Sequence, residues 1–145
     1  VVLILIYKEQ IQINISPKRL NITDVTKLVV EEQYYTNWID TNNLTELSSE
    51  FLSSLDSINH PFTNFKDFFT SLVKSIIAFN ASEISGKFES KEDTRVLLQD
   101  IKNIEAIIQD IKSKIQKETN FNDKVKLNID LKTQKDRLEK LKEKL

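Results

Sequence analysis

The chain has 145 residues, 39% of them apolar and 30% charged, which suits one ordinary domain or a small domain with an appendage. One Gly and two Pro are too few for a β-barrel, a Rossmann-type site or a phosphate loop, where backbone must turn sharply or lie against a ligand. With a net charge of −1, no Cys and one His, the chain offers no disulfide, no thiolate nucleophile and no ordinary zinc ligand set.

Residues 1–15 read as strand. Val1, Leu3, Leu5, Tyr7, Ile11, Ile13 and Ile15 hold the odd positions, and the even positions after Ile6 are polar. Lys8-Glu9-Gln10 is either a turn between two short strands or part of one long strand. The first half is apolar on both faces, so it is expected to pair with another strand, in this chain or outside it. The run Val1–Tyr7 is too short to span a bilayer, and only a longer apolar segment upstream would turn it into a membrane element.

After Pro17, Thr23 reads as a helix cap with Asp24 in the first turn. Val25, Leu28, Val29, Tyr35, Trp38 and Ile39 have helical spacing, so a helix is expected over 24–39. A second helix is expected over 44–58, with Leu44, Leu47, Phe51, Leu55 and Ile58 on one face. Asn59-His60-Pro61 reads as a turn. Thr63 is the expected cap of a third helix over 64–80, faced by Phe65, Phe68, Phe69, Leu72, Val73, Ile76 and Ile77. Residues 80–91 read as a connector.

The last third has the clearest pattern. Leu97, Ile101, Ile104, Ile108, Ile111 and Ile115 alternate spacings of four and three, and so do Leu127, Leu131, Gln134, Leu138, Leu141 and Leu145. The polar turn and cap formers of 118–123 separate the two runs. Two antiparallel helices are expected over 93–145, each roughly 35 Å long. Val96, Ile107, Val125 and Ile129 lie off this seam and widen the apolar stripe beyond what two helices cover. Gln134 is the one polar seam residue, a feature that can set register at some cost in stability.

The expected fold is therefore mostly α: a small helical domain with a short N-terminal β-element and a C-terminal antiparallel coiled-coil-like helical hairpin. Residues 1–90 would hold the β-element and three helices, and 91–145 the hairpin, packed with the first part as one domain.

The candidate chemistry is sparse. His60 reads as a turn residue with no second His beside it. Glu31-Glu32 and Glu92-Asp93 are adjacent acids whose side chains diverge on a helix, and Glu92 and Asp93 suit a helix start. Lys18-Arg19 is too small a cluster to define a phosphate site. Residues 1–90 carry 7 basic and 11 acidic side chains, and 91–145 carry 14 and 11. The mixed signs, with Asp110/Lys114 and Asp136/Lys140 at i,i+4, describe a solvated helix face rather than a nucleic-acid surface.

No catalytic, cofactor or metal residue is assigned. The expected function is a non-enzymatic interaction, adaptor or oligomerisation module, binding a protein partner or itself, in the cytoplasm. Its candidate surface is Tyr34, Tyr35, Trp38, Val96, Ile107, Val125 and Ile129, with strand pairing through residues 1–7 as a further route. The rivals are a structural protein of a filament, virus or cell surface, for which an extracellular setting would need an upstream targeting segment, and a nucleic-acid-associated helical protein. A small helical enzyme ranks below both.

Overall fold

A computed structural model of the chain describes residues 1–89, 91 and 93–145. Two compact units divide it, Val1–Ser90 and Lys91–Leu145. Among the described residues there are four α-helices, together with a small antiparallel sheet in the N-terminal part.

The first unit begins with the hairpin of β1 (Val2–Tyr7) and β2 (Gln10–Ile15), in register from Val2 opposite Ile15 to Tyr7 opposite Gln10. The turn is Lys8-Glu9, and Lys8 takes φ 54°, a left-handed conformation that a tight hairpin demands and that a side chain makes costly. On its other edge β2 pairs antiparallel with two short strands, β5 (Tyr34–Tyr35) and β6 (Ile39–Asp40). Between them Thr36 is fully buried. Its Oγ1 accepts from the Ile13 N–H at 3.1 Å, so a side chain extends the ladder where the backbone pairing is short. A separate two-stranded sheet joins β3 (Lys18–Leu20) to β4 (Leu28–Val30).

The helix expected over 24–39 is absent, and β4, β5 and β6 occupy that stretch instead. Its apolar spacing fits a helix, but its residues are largely β-branched and aromatic, which favour strands. The outer edge of β2 also needs partners, and β5 and β6 supply them. Asp24 serves a turn rather than a helix: its carboxylate accepts from Thr26 Oγ1 at 2.5 Å and from the Thr26 N–H at 3.1 Å, and it pairs with Lys27 at 3.0 Å. These bonds, that from the Thr26 hydroxyl foremost, hold its carboxyl below the usual range. The N-terminal region thus holds two α-helices, not three.

Those helices are α1 (Glu46–Ser54) and α2 (Phe65–Ser85), with a 3₁₀ turn at Ser57–Asn59 between them. Thr45 caps α1 through the Ser48 N–H. Asn64, not Thr63, caps α2, accepting from the Asp67 N–H at 2.9 Å. Phe62 stacks on Phe68 with ring centroids 5.6 Å apart, close to a hydrophobic staple across the helix start. The helix runs past residue 80 and ends at Gly86, whose φ of 75° and N–H bond to the Ser82 carbonyl close the last turn. No heavy atom would crowd a Cβ there, so the glycine serves conformation rather than space.

The core of this unit joins Ile13, Ile15 and Ile39 of the sheet to Phe51 of α1 and to Val73, Ile76 and Phe79 of α2. Phe51 and Phe79 stack at its centre, 4.4 Å between centroids and 17° from parallel.

The second unit consists of α3 (Thr94–Lys117) and α4 (Phe121–Lys142). Asn120 caps α4 by accepting from the N–H groups of Asn122 and Asp123. Glu118 bends back over the connection and accepts from the Thr119 and Asn120 N–H groups at 2.8 and 2.7 Å. Ile101, Ile104 and Ile108 form a buried cluster with Leu138, and Leu131, Leu141 and Leu145 pack against it. Asp110 and Lys114 pair at 2.6 Å, but no ion pair joins Asp136 to Lys140. Among the described residues no helix is long and apolar enough to cross a membrane.

Candidate interaction surfaces

Strand β1 is the outer strand of its sheet. Val2, Ile4 and Ile6 share a face with their cross-strand neighbours Ile15, Ile13 and Ile11. Ile13 and Ile15 are 5% and 1% exposed, whereas Ile4 and Ile6 are 56% and 74% exposed. The core therefore ends at β2 and leaves β1 overhanging. The opposite face sets Leu3, Leu5 and Tyr7 beside the polar Asn14, Gln12 and Gln10, and all three are exposed as well. An edge strand usually carries a charge, a proline or a bulge that discourages pairing. No charged residue or proline lies between Val1 and Tyr7.

The seven residues proposed from sequence fall into separate groups. Tyr34 and Tyr35 form β5. Tyr34 is half-buried and donates its hydroxyl to Glu32 at 2.5 Å, while Tyr35 and Trp38 are exposed. Helix α2 holds this segment, Asn80 Nδ2 donating to the Tyr35 carbonyl at 2.9 Å and Glu83 accepting from Asn37 Nδ2 at 2.8 Å. Partial burial raises the Glu83 carboxyl above its ordinary value, against the lowering effect of Asn37. Val96 and Ile107 on α3 and Val125 and Ile129 on α4 are all exposed.

Sequence reading named residues 1–7 as a pairing segment, and the structure adds that the core-side face of β1 is exposed as well. That reading missed a groove of about 530 Å³ in the first unit. Phe65, Phe69 and Val73 of α2, spaced four apart on one helix face, line it with Leu28 of β4 and Tyr34 of β5. Lys18 and Lys66 line it too, and no acidic residue does. A second, more polar depression of about 590 Å³ is bordered by Glu46, Glu50, Lys87 and Glu89. Among the described residues no three His, Asp or Glu side chains are grouped to hold a metal.

The adjacent acids do not act together. Glu31 pairs with Arg19 at 3.0 Å and Glu32 receives Tyr34. Asp93 makes no side-chain cap bond to α3, and its neighbour Glu92 lies outside the described residues. His60 closes the turn at Ser57–Asn59 and is buried. Its Nδ1 lies 2.6 Å from Ser71 Oγ, and that hydroxyl donates to the Phe68 carbonyl at 2.8 Å. A hydroxyl has one proton to give, so Ser71 donates to one of these two neighbours, and the His60 tautomer sets which.

These features describe a mixed α/β chain with a helical C-terminal part and large exposed apolar surfaces. It belongs to the family described as Domain of unknown function (DUF4391), which matches residues 1–138 and so covers the first unit and nearly all of the second. No curated protein and no solved structure matches it.

Proposed function

We propose that this chain is a non-enzymatic protein–protein interaction module that assembles by adding a strand to β1. The observation that carries the reading is β1 itself, an edge strand of six residues, all apolar and all exposed. A strand apolar on both faces has the composition of an interior strand. Its outer N–H and C=O groups form a template for main-chain pairing, and its side chains would be removed from water by the partner. An adaptor or oligomerisation role within a larger assembly follows from such an edge.

In the same reading α3 and α4 form an antiparallel coiled-coil-like hairpin, closed by the Ile and Leu seam. Val96, Ile107, Val125 and Ile129 then offer a second apolar contact face, and Tyr35 and Trp38 a third. A cytoplasmic setting accords with a chain that has no cysteine.

The test is the molar mass of the full chain by light scattering over a wide concentration range, beside Ile4→Lys and Ile6→Lys. The expected result is a mass that climbs with concentration for the unmodified chain and stays monomeric for both variants, with unchanged melting. An unmodified chain that is monomeric throughout overturns assembly through β1.

A further inference from the structure

We infer that the groove between α2 and the strands β4 and β5 binds a small apolar anion, a molecule with a hydrocarbon or aryl body and one negatively charged head group. The groove borders the β1 hairpin at Val1 but takes in none of Val2–Tyr7, so the inference stands independently of strand addition.

The groove, about 530 Å³, lies within the range that small-molecule sites occupy. Its apolar part is graded in depth. Val73 is buried and Phe69 half-buried, while Leu28 and Phe65 are largely exposed at the mouth. The Phe65 and Phe69 rings stand 6.2 Å apart and tilted by 32°, presenting aromatic surface along one side.

Charge selects the head group. Lys18 and Lys66 line the groove, and neither has an ion-pair partner among the described residues. The nearby acids are engaged elsewhere, Glu31 by Arg19 and Glu32 by the Tyr34 hydroxyl. Lys66 is also the second residue of α2, where the helix field is positive and a lysine is disfavoured. An anion bound beside these lysines offsets the unfavourable helix field at Lys66 while its body displaces water from Phe69.

Decanoate and its neutral counterpart decanol are the probes, used below their aggregation concentrations with the full chain and followed by titration calorimetry and amide NMR. Decanoate should bind saturably at one site, at least about tenfold more tightly than decanol, and more weakly as salt rises. Shortening it to octanoate should cost about fourfold for each methylene removed. Shifts should centre on Leu28, Tyr34 and Phe69. Lys18→Gln and Lys66→Gln, both at exposed positions, should each weaken decanoate several-fold and leave decanol unchanged. Phe69→Ala should weaken both probes. Equal affinity for the acid and the alcohol overturns the inference. So do indifference to both lysine variants, shifts centred on residues 2–7, or binding only to anionic vesicles or to an acidic apolar peptide.

Discussion

The two units bury their apolar residues in different ways. In Lys91–Leu145 the buried isoleucines follow one period along α3, and the next element in the chain sets the buried Leu138 and half-buried Leu131 and Leu141 against them. In Val1–Ser90 the core draws on β2, β6, α1 and α2, joining Ile13 to Phe79 across most of the unit's length. The first kind of core is local and tolerates single losses by fraying. The second closes long loops around a few large side chains, so each of those side chains matters more.

Four changes would sharpen that contrast, and a fifth tests one charged contact. Phe79→Ala removes half of the central stacked pair and should cost about 3–5 kcal/mol. Fluorescence of Trp38, the single tryptophan, should report early unfolding of the first unit while helical signal from the second persists. One shared transition would break the distinction. Ile104→Ala should cost the second unit about 2–4 kcal/mol, seen as a fall in helical circular dichroism at lower denaturant, with the Trp38 transition unmoved.

Gln134→Leu should work in the opposite direction. The Gln134 Oε1 atom is buried with no hydrogen-bond donor among the described residues. Replacing it with an apolar side chain should stabilise the second unit by about 1–2 kcal/mol in urea unfolding. Lys8→Gly, at the left-handed hairpin turn, should stabilise the first unit by about 1 kcal/mol.

The smallest effect concerns Glu83. Its folded carboxyl is raised, so the protonated form favours the fold. That contribution is fully present below the unfolded value and is lost as pH rises through the folded value. Glu83→Gln should therefore flatten the pH dependence of melting across the mildly acidic range. It should also leave the protein slightly more stable at neutral pH. A steeper dependence in the variant would contradict the assignment.

The elements differed in how much their sequence revealed. Ile101, Ile104 and Ile108 are buried where the four-and-three spacing places them. A helix that packs on its neighbour in sequence carries its own evidence. Residues 24–39 misled because their spacing suits a helix while their pairing partners, on β2 and β3, lie elsewhere. The β1–β2 turn at Lys8-Glu9 was one of two readings, and glycine, the usual signal, is missing there. The groove left no sequence signal at all, since Lys18, Leu28, Tyr34 and Phe69 come from four elements.

Local pattern sufficed for the α2, α3 and α4 segments, the buried isoleucines of α3, the alternation of β2 and the absence of a thiol. These follow from period, capping and composition, which act within a few residues. Tertiary structure alone decided that 24–39 pairs as strands, that the core stops at β2 and that two lysines meet an apolar groove. Each depends on surfaces brought together across long stretches of chain, where burial and main-chain pairing outweigh local preference.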